Sequence, residues 1–279
     1  MNEAEFIAAR RTLPLHPGAE GLRDDTATLA IGGETLILTH DAIAEGVHYR
    51  PGTDPFDIAW KLVAVNLSDL AAKGAAPLGV LVGAVLLDGA ERFVEGLRAI
   101  LTEYAVPLLG GDTISVSPAT FGCTAIGRAG AAVPRRDGGR AGDALWVTGT
   151  IGAAMLGFEA GDGAAYLRPR PRLAEGRALA PHVHAMMDVS DGLLLDAARL
   201  AEASGCTAEI ARATLPVAPG ADPLRAATWG DDYELLFAAP ADFVPPVAAT
   251  RIGTLTERGS ASLLLDGAAP DFALGYQHR

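Results

Sequence analysis

Seven aspartates stand in short, glycine-flanked and otherwise apolar segments: Asp24 and Asp25 in GLRDDTATL, Asp41 in LILTHDAIAEGVHY, Asp69 in VNLSDLAAKGA, Asp112 in LLGGDT, and Asp188 and Asp191 in MMDVSDG. Carboxylates are costly near apolar surroundings unless a cation compensates them, and oxygen-only clusters suit hard divalent ions such as Mg2+. The pattern predicts a multi-metal phosphate handler. No GxxxxGK[ST] string offers a phosphate-neutralising lysine, and the two lysines, Lys61 and Lys73, both fall in one apolar helical stretch. Metal ions and a few arginines must then meet the charge of any polyphosphate. Two unit charges about 4 Å apart repel by ~4 kcal/mol near a protein surface, which makes bridging cations close to obligatory.

Each residue also has a plainer reading. Asp41, Asp112 and Asp188 close apolar, strand-like runs, where side chains enter a crevice on a rigid frame. Asp69 lies on a helix with Lys73 four residues on, so it is either a ligand or half of a buried Asp69–Lys73 pair. Asp24 and Asp25 suit a turn, and Asp191 suits the N-cap of GLLLDAARL. Their joint occurrence is what favours a site. Gly110 and Gly111 allow backbone N–H groups to approach an anion beside Asp112. His48, soon after the Asp41 strand, is either structural or a phosphate contact.

The elements that must hold these groups alternate irregularly. TLILTHD reads as a strand, and DPFDIAWKLVAVNLSDLAAKG as a buried helix with Asp54 as N-cap, Pro55 in first position and Gly74 as its stop. PLGVLVGAVLL is a strand, ERFVEGLRAILTEYA an amphipathic helix, and VPLLGGD and TFGCTAIGRAG are strands. Beyond VPRRDGGRAGD come a strand ALWVTGT, a short helix IGAAMLGFEA, a strand HAMMDVSD, a helix GLLLDAARLAEASG closed by Gly205, and strands DYELLFAAP and TRIGTL. Direct strand-to-strand steps predict α+β layers in two domains, with the boundary within residues 130 to 142 and the halves taken as 1–135 and 136–279. RPRPR at 168 to 172 reads as a proline-stiffened surface connector.

Composition narrows the classes. The 279 residues can bury a core, with 49% hydrophobic and 20% charged residues. A formal net charge of −12 argues against a sequence-independent grip on nucleic acid. Cys123 and Cys206 stand far apart without metal-ligand spacing, which fits a reduced cytoplasmic setting. No apolar run reaches the ~18 residues that would span a bilayer, and MNEAEFIAARRTLPLH lacks a signal-peptide core, so a soluble protein is expected.

The segments GLRDDTATL, LILTHDAIAEGVHY, AWKLVAVNLSDLAAKGAAPLG, LLGGDT, VTGTIG, MDVSDGLLLD and GDDYELLF, taken in this order, resemble those of thiamine-monophosphate kinases, relatives of aminoimidazole ribonucleotide synthetase and selenophosphate synthetase. The resemblance implies the two-domain aminoimidazole ribonucleotide synthetase-like fold and phosphoryl transfer from ATP to thiamine monophosphate with several Mg2+ ions. It also implies a homodimer built through the N-terminal sheets. Carried over by motif, the metal ligands would be Asp25, Thr39, Asp41, Asp69, Asp112, Asp188 and Asp191. Gly111, Asp112, Arg136 and Ser190 would bind ATP, and His48, Asp231 and Tyr276 the thiamine substrate. The chain departs from the family pattern at Arg23, His40 and Asp231. The alternatives are a sister enzyme of the superfamily or a non-catalytic nucleotide-binding scaffold.

Overall fold

The computed structural model describes residues 3–86, 88–161 and 163–277. In chain order the elements are α1 (Glu3–Arg10), β1 (Ala27–Ile31), β2 (Glu34–Ala44), α2 (Pro55–Ala72), β3 (Ala76–Val85), α3 (Ala90–Glu103), β4 (Leu108–Ile114) and β5 (Thr120–Arg128). They continue as β6 (Ala144–Thr148), α4 (Ala153–Glu159), α5 (Ala164–Leu167), α6 (Leu173–Leu179), β7 (Ala185–Asp188), α7 (Leu193–Ala203), β8 (Cys206–Ile210), α8 (Pro223–Trp229), β9 (Leu235–Ala239), β10 (Ala249–Glu257) and β11 (Leu263–Leu265). Two mixed sheets result, in the orders β1-β2-β5-β3-β4 and β11-β8-β10-β6-β9-β7. Antiparallel pairs dominate, with β3–β4 and β11–β8 parallel, so the α+β expectation holds.

Helix α2 starts and stops where its chemistry says. The Asp54 carboxylate accepts the Phe56 N–H at 3.0 Å, Pro55 occupies the first turn without wasting a donor, and Gly74 leaves the helix at φ 60°. From Ile58 onward it is buried all round except at Trp60, because it lies between the sheets. Ile37, Ile43, Val80, Val82, Phe121 and Cys123 of the first sheet meet it on one side. Met186, Leu235 and Phe237 of the second sheet belong to the same core, and α6 comes so close that a Cβ on Gly176 would lie 1.9 Å from the Ala71 carbonyl oxygen. The alternate residues Met187, Leu236 and Ala238 face the other way, onto α7.

Three expectations change. Gly192, not Asp191, precedes α7, and its first turn has no side-chain cap. Arg172 of RPRPR is tucked in rather than solvated, bonded to the buried Glu234 carboxylate, while Arg168 reaches Asp57. The Asp69–Lys73 pair does not form: Lys73 Nζ lies 2.5 Å from Asp24. Short elements with weak periodicity, among them β1, α6, β8 and α8, escape the sequence pattern because their burial is set by distant partners.

Candidate active site

Strand β2 and helix α2 bring the first carboxylates together. Thr39 and Asp41 lie on the α2 face of β2, and Asp69 rises from α2 beneath them, its Oδ2 accepting the Thr39 hydroxyl. Asn66, one turn earlier, accepts the Asp41 backbone N–H at 2.9 Å and so ties strand to helix. From the second sheet, Asp188 at the end of β7 accepts the Ser68 hydroxyl at 2.6 Å. Asp25 enters from the loop before β1. One carboxylate oxygen from each of Asp25, Asp69 and Asp188 lies within 4.8 Å of the others.

Such crowding is electrostatically costly. Burial, then Asp25 and Asp191, push the pKa of Asp41 up to about 6. Burial, then Asp41 and Asp188, push Asp69 well above the carboxylate range in spite of its bond to Thr39. Asp188 is raised to about 8 by burial and by Asp25. Packing around Asp25 would raise it too, but its side chain is still 34% exposed, and Arg136, Lys73 and Arg199 outweigh the effect and hold Asp25 low. Hard oxygen donors that repel one another in a poorly solvated pocket fit a divalent cation such as Mg2+, which would remove the repulsion. Asp25, Asp69, Asp188 and the neighbouring Asp41 are the residues that would hold it.

The cluster sits in a cleft of about 710 Å³ lined also by His48, Arg136, Ser190, Asp191, Asp231 and Tyr276. Arg136 pairs with Asp25 in the turn that links the two halves, and its backbone N–H meets Asp24 at 3.1 Å. Asp191 pairs with Arg199 at 2.5 Å. His48 accepts the Ala44 N–H on Nδ1, while its carbonyl takes bonds from Lys61 and from the Tyr166 hydroxyl. Asp231, at φ 58°, lies 3.2 Å from Lys61 and accepts the Tyr233 hydroxyl at 3.1 Å. The backbone of Tyr276 is fastened to the Asp191 carbonyl at 2.9 Å.

Gly111 and Asp112 do not join this group within one chain. Register runs Asp41, Cys123, Val82, Gly111 across the first sheet, which places β4 three strand spacings from β2, about 14 Å away. Asp112 also pairs with Gly83, on the opposite face from Asp41, and every residue of β4 is exposed.

Sequence reasoning missed Arg199, Ser68, Lys61, Phe158 and Trp229, all at or beside the cleft. Arg199 carried a usable signal, since it follows Asp196 by three residues on a helix that begins beside Asp191. Phe158 and Tyr166 both line the cleft, with ring centroids 5.1 Å apart.

Family models for AIR synthase related protein match here, the N-terminal domain over residues 23–129 and the C-terminal domain over residues 140–266. Thiamine-monophosphate kinase of Escherichia coli (strain K12) is 36% identical over 79% of this chain and 76% of its own length. That of Halobacterium salinarum is 36% identical over 89% of this chain and 90% of its own. Among solved structures, AaThiL complexed with AMPPCP and TMP superposes with a TM-score of 0.88 at 28% identity, covering 100% of this chain and 97% of that one. With two matched domains in order and a carboxylate-lined cleft where they meet, the chain belongs to the thiamine-monophosphate kinase family.

Proposed function

We propose that this protein transfers the terminal phosphoryl group of ATP to the phosphate of thiamine monophosphate, giving thiamine diphosphate and ADP. The observation that carries the reading is the polarity of the cleft. Asp25, Asp69, Asp188 and Arg136 gather in one group, while Phe158 packs on Tyr166 and Trp229 and Lys61 links Tyr166 to Asp231 in another, and both groups line the cleft. A relative whose structure holds AMPPCP and TMP together superposes over the whole chain, which supports a two-substrate cleft of this kind. Mg2+ bound by Asp25, Asp41, Asp69 and Asp188 would supply charge neutralisation for the polyphosphate.

The acceptor is already an anion at neutral pH, so no side chain has to act as a strong base or as a nucleophile. The residues position and neutralise. Arg136 and Ser190 take the nucleotide phosphates, with Asp191 as a further cation ligand. His48, Asp231 and Tyr276 contact the thiamine part. In this reading residues 1–135 carry most of the ligands and residues 136–279 complete the cleft.

We also infer a homodimer. The outer face of the first sheet leaves Leu81 and Ile114 exposed, and β4 is an apolar edge strand that also leaves Leu108 exposed. A second copy covering that face is the means by which Gly111 and Asp112 could serve a site. No helix among the described residues is long and apolar enough to cross a membrane, and a cytoplasmic setting suits such a biosynthetic enzyme. The test is to supply ATP and Mg2+ with thiamine monophosphate or with thiamine, side by side. Thiamine diphosphate should form from the monophosphate alone, and equal turnover of free thiamine would refute the acceptor assignment.

A further inference from the structure

We propose that Arg199 is a second phosphate-binding arm of the cleft, held in reserve by Asp191 and delivered to the nucleotide polyphosphate when a cation takes that carboxylate. The inference rests on the reading that this cleft receives ATP.

Arg199 lines the cleft beside Asp25, Arg136, Ser190 and Asp191. Its described hydrogen bonds all leave from Nη1, to Asp191 at 2.5 Å and to Asp196 at 3.2 Å, so Nε and Nη2 remain to donate elsewhere. Asp196 is wholly buried, and its second oxygen accepts the backbone N–H groups of Ser190 and Asp191, each at 3.1 Å. One carboxylate thus fixes both the turn that carries Asp191 and the root of the arginine. The Asp191 pair itself is partly solvated, with the two side chains 29% and 25% exposed, and such a pair adds little to folding.

Arg136 points to the same ligand. Its buried Nε has no partner, although the guanidinium is paired with Asp25 through Nη2. Burial works against the charge on Arg199, and Arg136 adds a smaller like-charge repulsion, but Asp196 and Asp191 outweigh both. Once a cation takes Asp25 and Asp191, the two like-charged forks lose those partners, and an anion between them would replace the lost compensation. A bidentate phosphate contact uses the planar donors that each still offers.

The experiment is calorimetric titration with ATP and Mg2+, with thermal melting of every variant. Arg199→Gln should weaken ATP binding roughly 10- to 100-fold, as expected for a lost charge-assisted bond, and Arg199→Lys should recover part of it. A second titration uses inorganic tripolyphosphate with all divalent ions chelated. Asp191→Asn, which frees the arginine, should bind it more tightly than the parent protein, and the gain should vanish in the Asp191→Asn/Arg199→Gln double variant. Unchanged ATP affinity in Arg199→Gln, or a gain that persists in the double variant, would overturn the assignment. A parent protein that binds tripolyphosphate but not ATP would instead sink the kinase reading.

Discussion

The Lys73 ammonium lies 2.5 Å from the Asp24 carboxylate and 3.4 Å from the Met186 carbonyl, so the helix lysine one turn beyond Asp69 neutralises a different aspartate. Both partners are nearly shut off from water, with side-chain exposures of 1% and 7%. Asp69 is thereby left to the carboxylate cluster, and the two aspartates should respond oppositely to neutralisation.

Asp69→Asn removes a repelled, buried charge without orphaning a lysine. The metal-free variant should melt no lower than the parent protein, while its rate with ATP and thiamine monophosphate should drop on the order of 10²-fold or more. A variant that melts early yet turns over normally when folded would show that Asp69 is structural.

Asp24→Asn should do the reverse to stability. Breaking a buried pair from one side costs roughly 3 to 5 kcal/mol, because Lys73 remains buried and uncompensated. Denaturant unfolding measures it directly, and Lys73→Met in the same background should restore much of the loss.

Metal-free protein should lose stability as pH rises. Asp41 and Asp188 have folded pKa values of about 6 and about 8 against an ordinary value of 3.8, so between these limits the folded state binds more protons than the unfolded chain. Their contribution is fully present below about pH 4 and is lost as pH climbs through the folded values. Mg2+ offsets the repulsion, so the rise in Tm on adding it should be larger near pH 8 than near pH 5. An equal rise at both pH values would separate the cation from this cluster.

How much of this was legible in the sequence depends on the range of the interaction. Helix α2 was readable end to end, since Asp54, Pro55 and Gly74 act within a turn of their own positions. The strand end at Asp188 was readable because an apolar run halts there, whereas β2 runs on past Asp41 to Ala44. Partnerships across the chain were not: Lys61 with Asp231, Arg172 with Glu234 and Ser68 with Asp188 each join residues more than fifty positions apart, and spacing carries no trace of them. Asp112 is a different case: the motif sets it among the ligands, while within one chain the register of β4 sets it on the face away from Asp41, so any role for it rests on the proposed second copy.

Substrate choice can be probed at Tyr276, which lines the cleft close to Asp191. On the proposed reading that its ring contacts the cationic thiazolium, Tyr276→Ala should raise the KM for thiamine monophosphate roughly 2- to 30-fold, with little change for ATP. An effect confined to ATP would move the aromatic contact to the nucleotide end.

The self-association proposed for the first sheet is testable at Leu108, half-exposed on the unpaired edge. Leu108→Glu should reduce the mass measured by light scattering from two chains to one. A single-chain mass for the parent protein would remove the homodimer, and with it the means by which Asp112 could serve a site.

Because α2 lends its two sides to both sheets, the division seen along the chain is not a division in cooperativity. Neither half could keep its core if made alone: residues 1–135 would expose the face that receives Met186 and Phe237, and residues 136–279 would lack the helix that covers it. The protein should therefore unfold in a single calorimetric transition. A hinge that opened the halves for substrate exchange would have to tear a shared core, so ligand entry must instead rely on the loops and side chains around the mouth of the cleft.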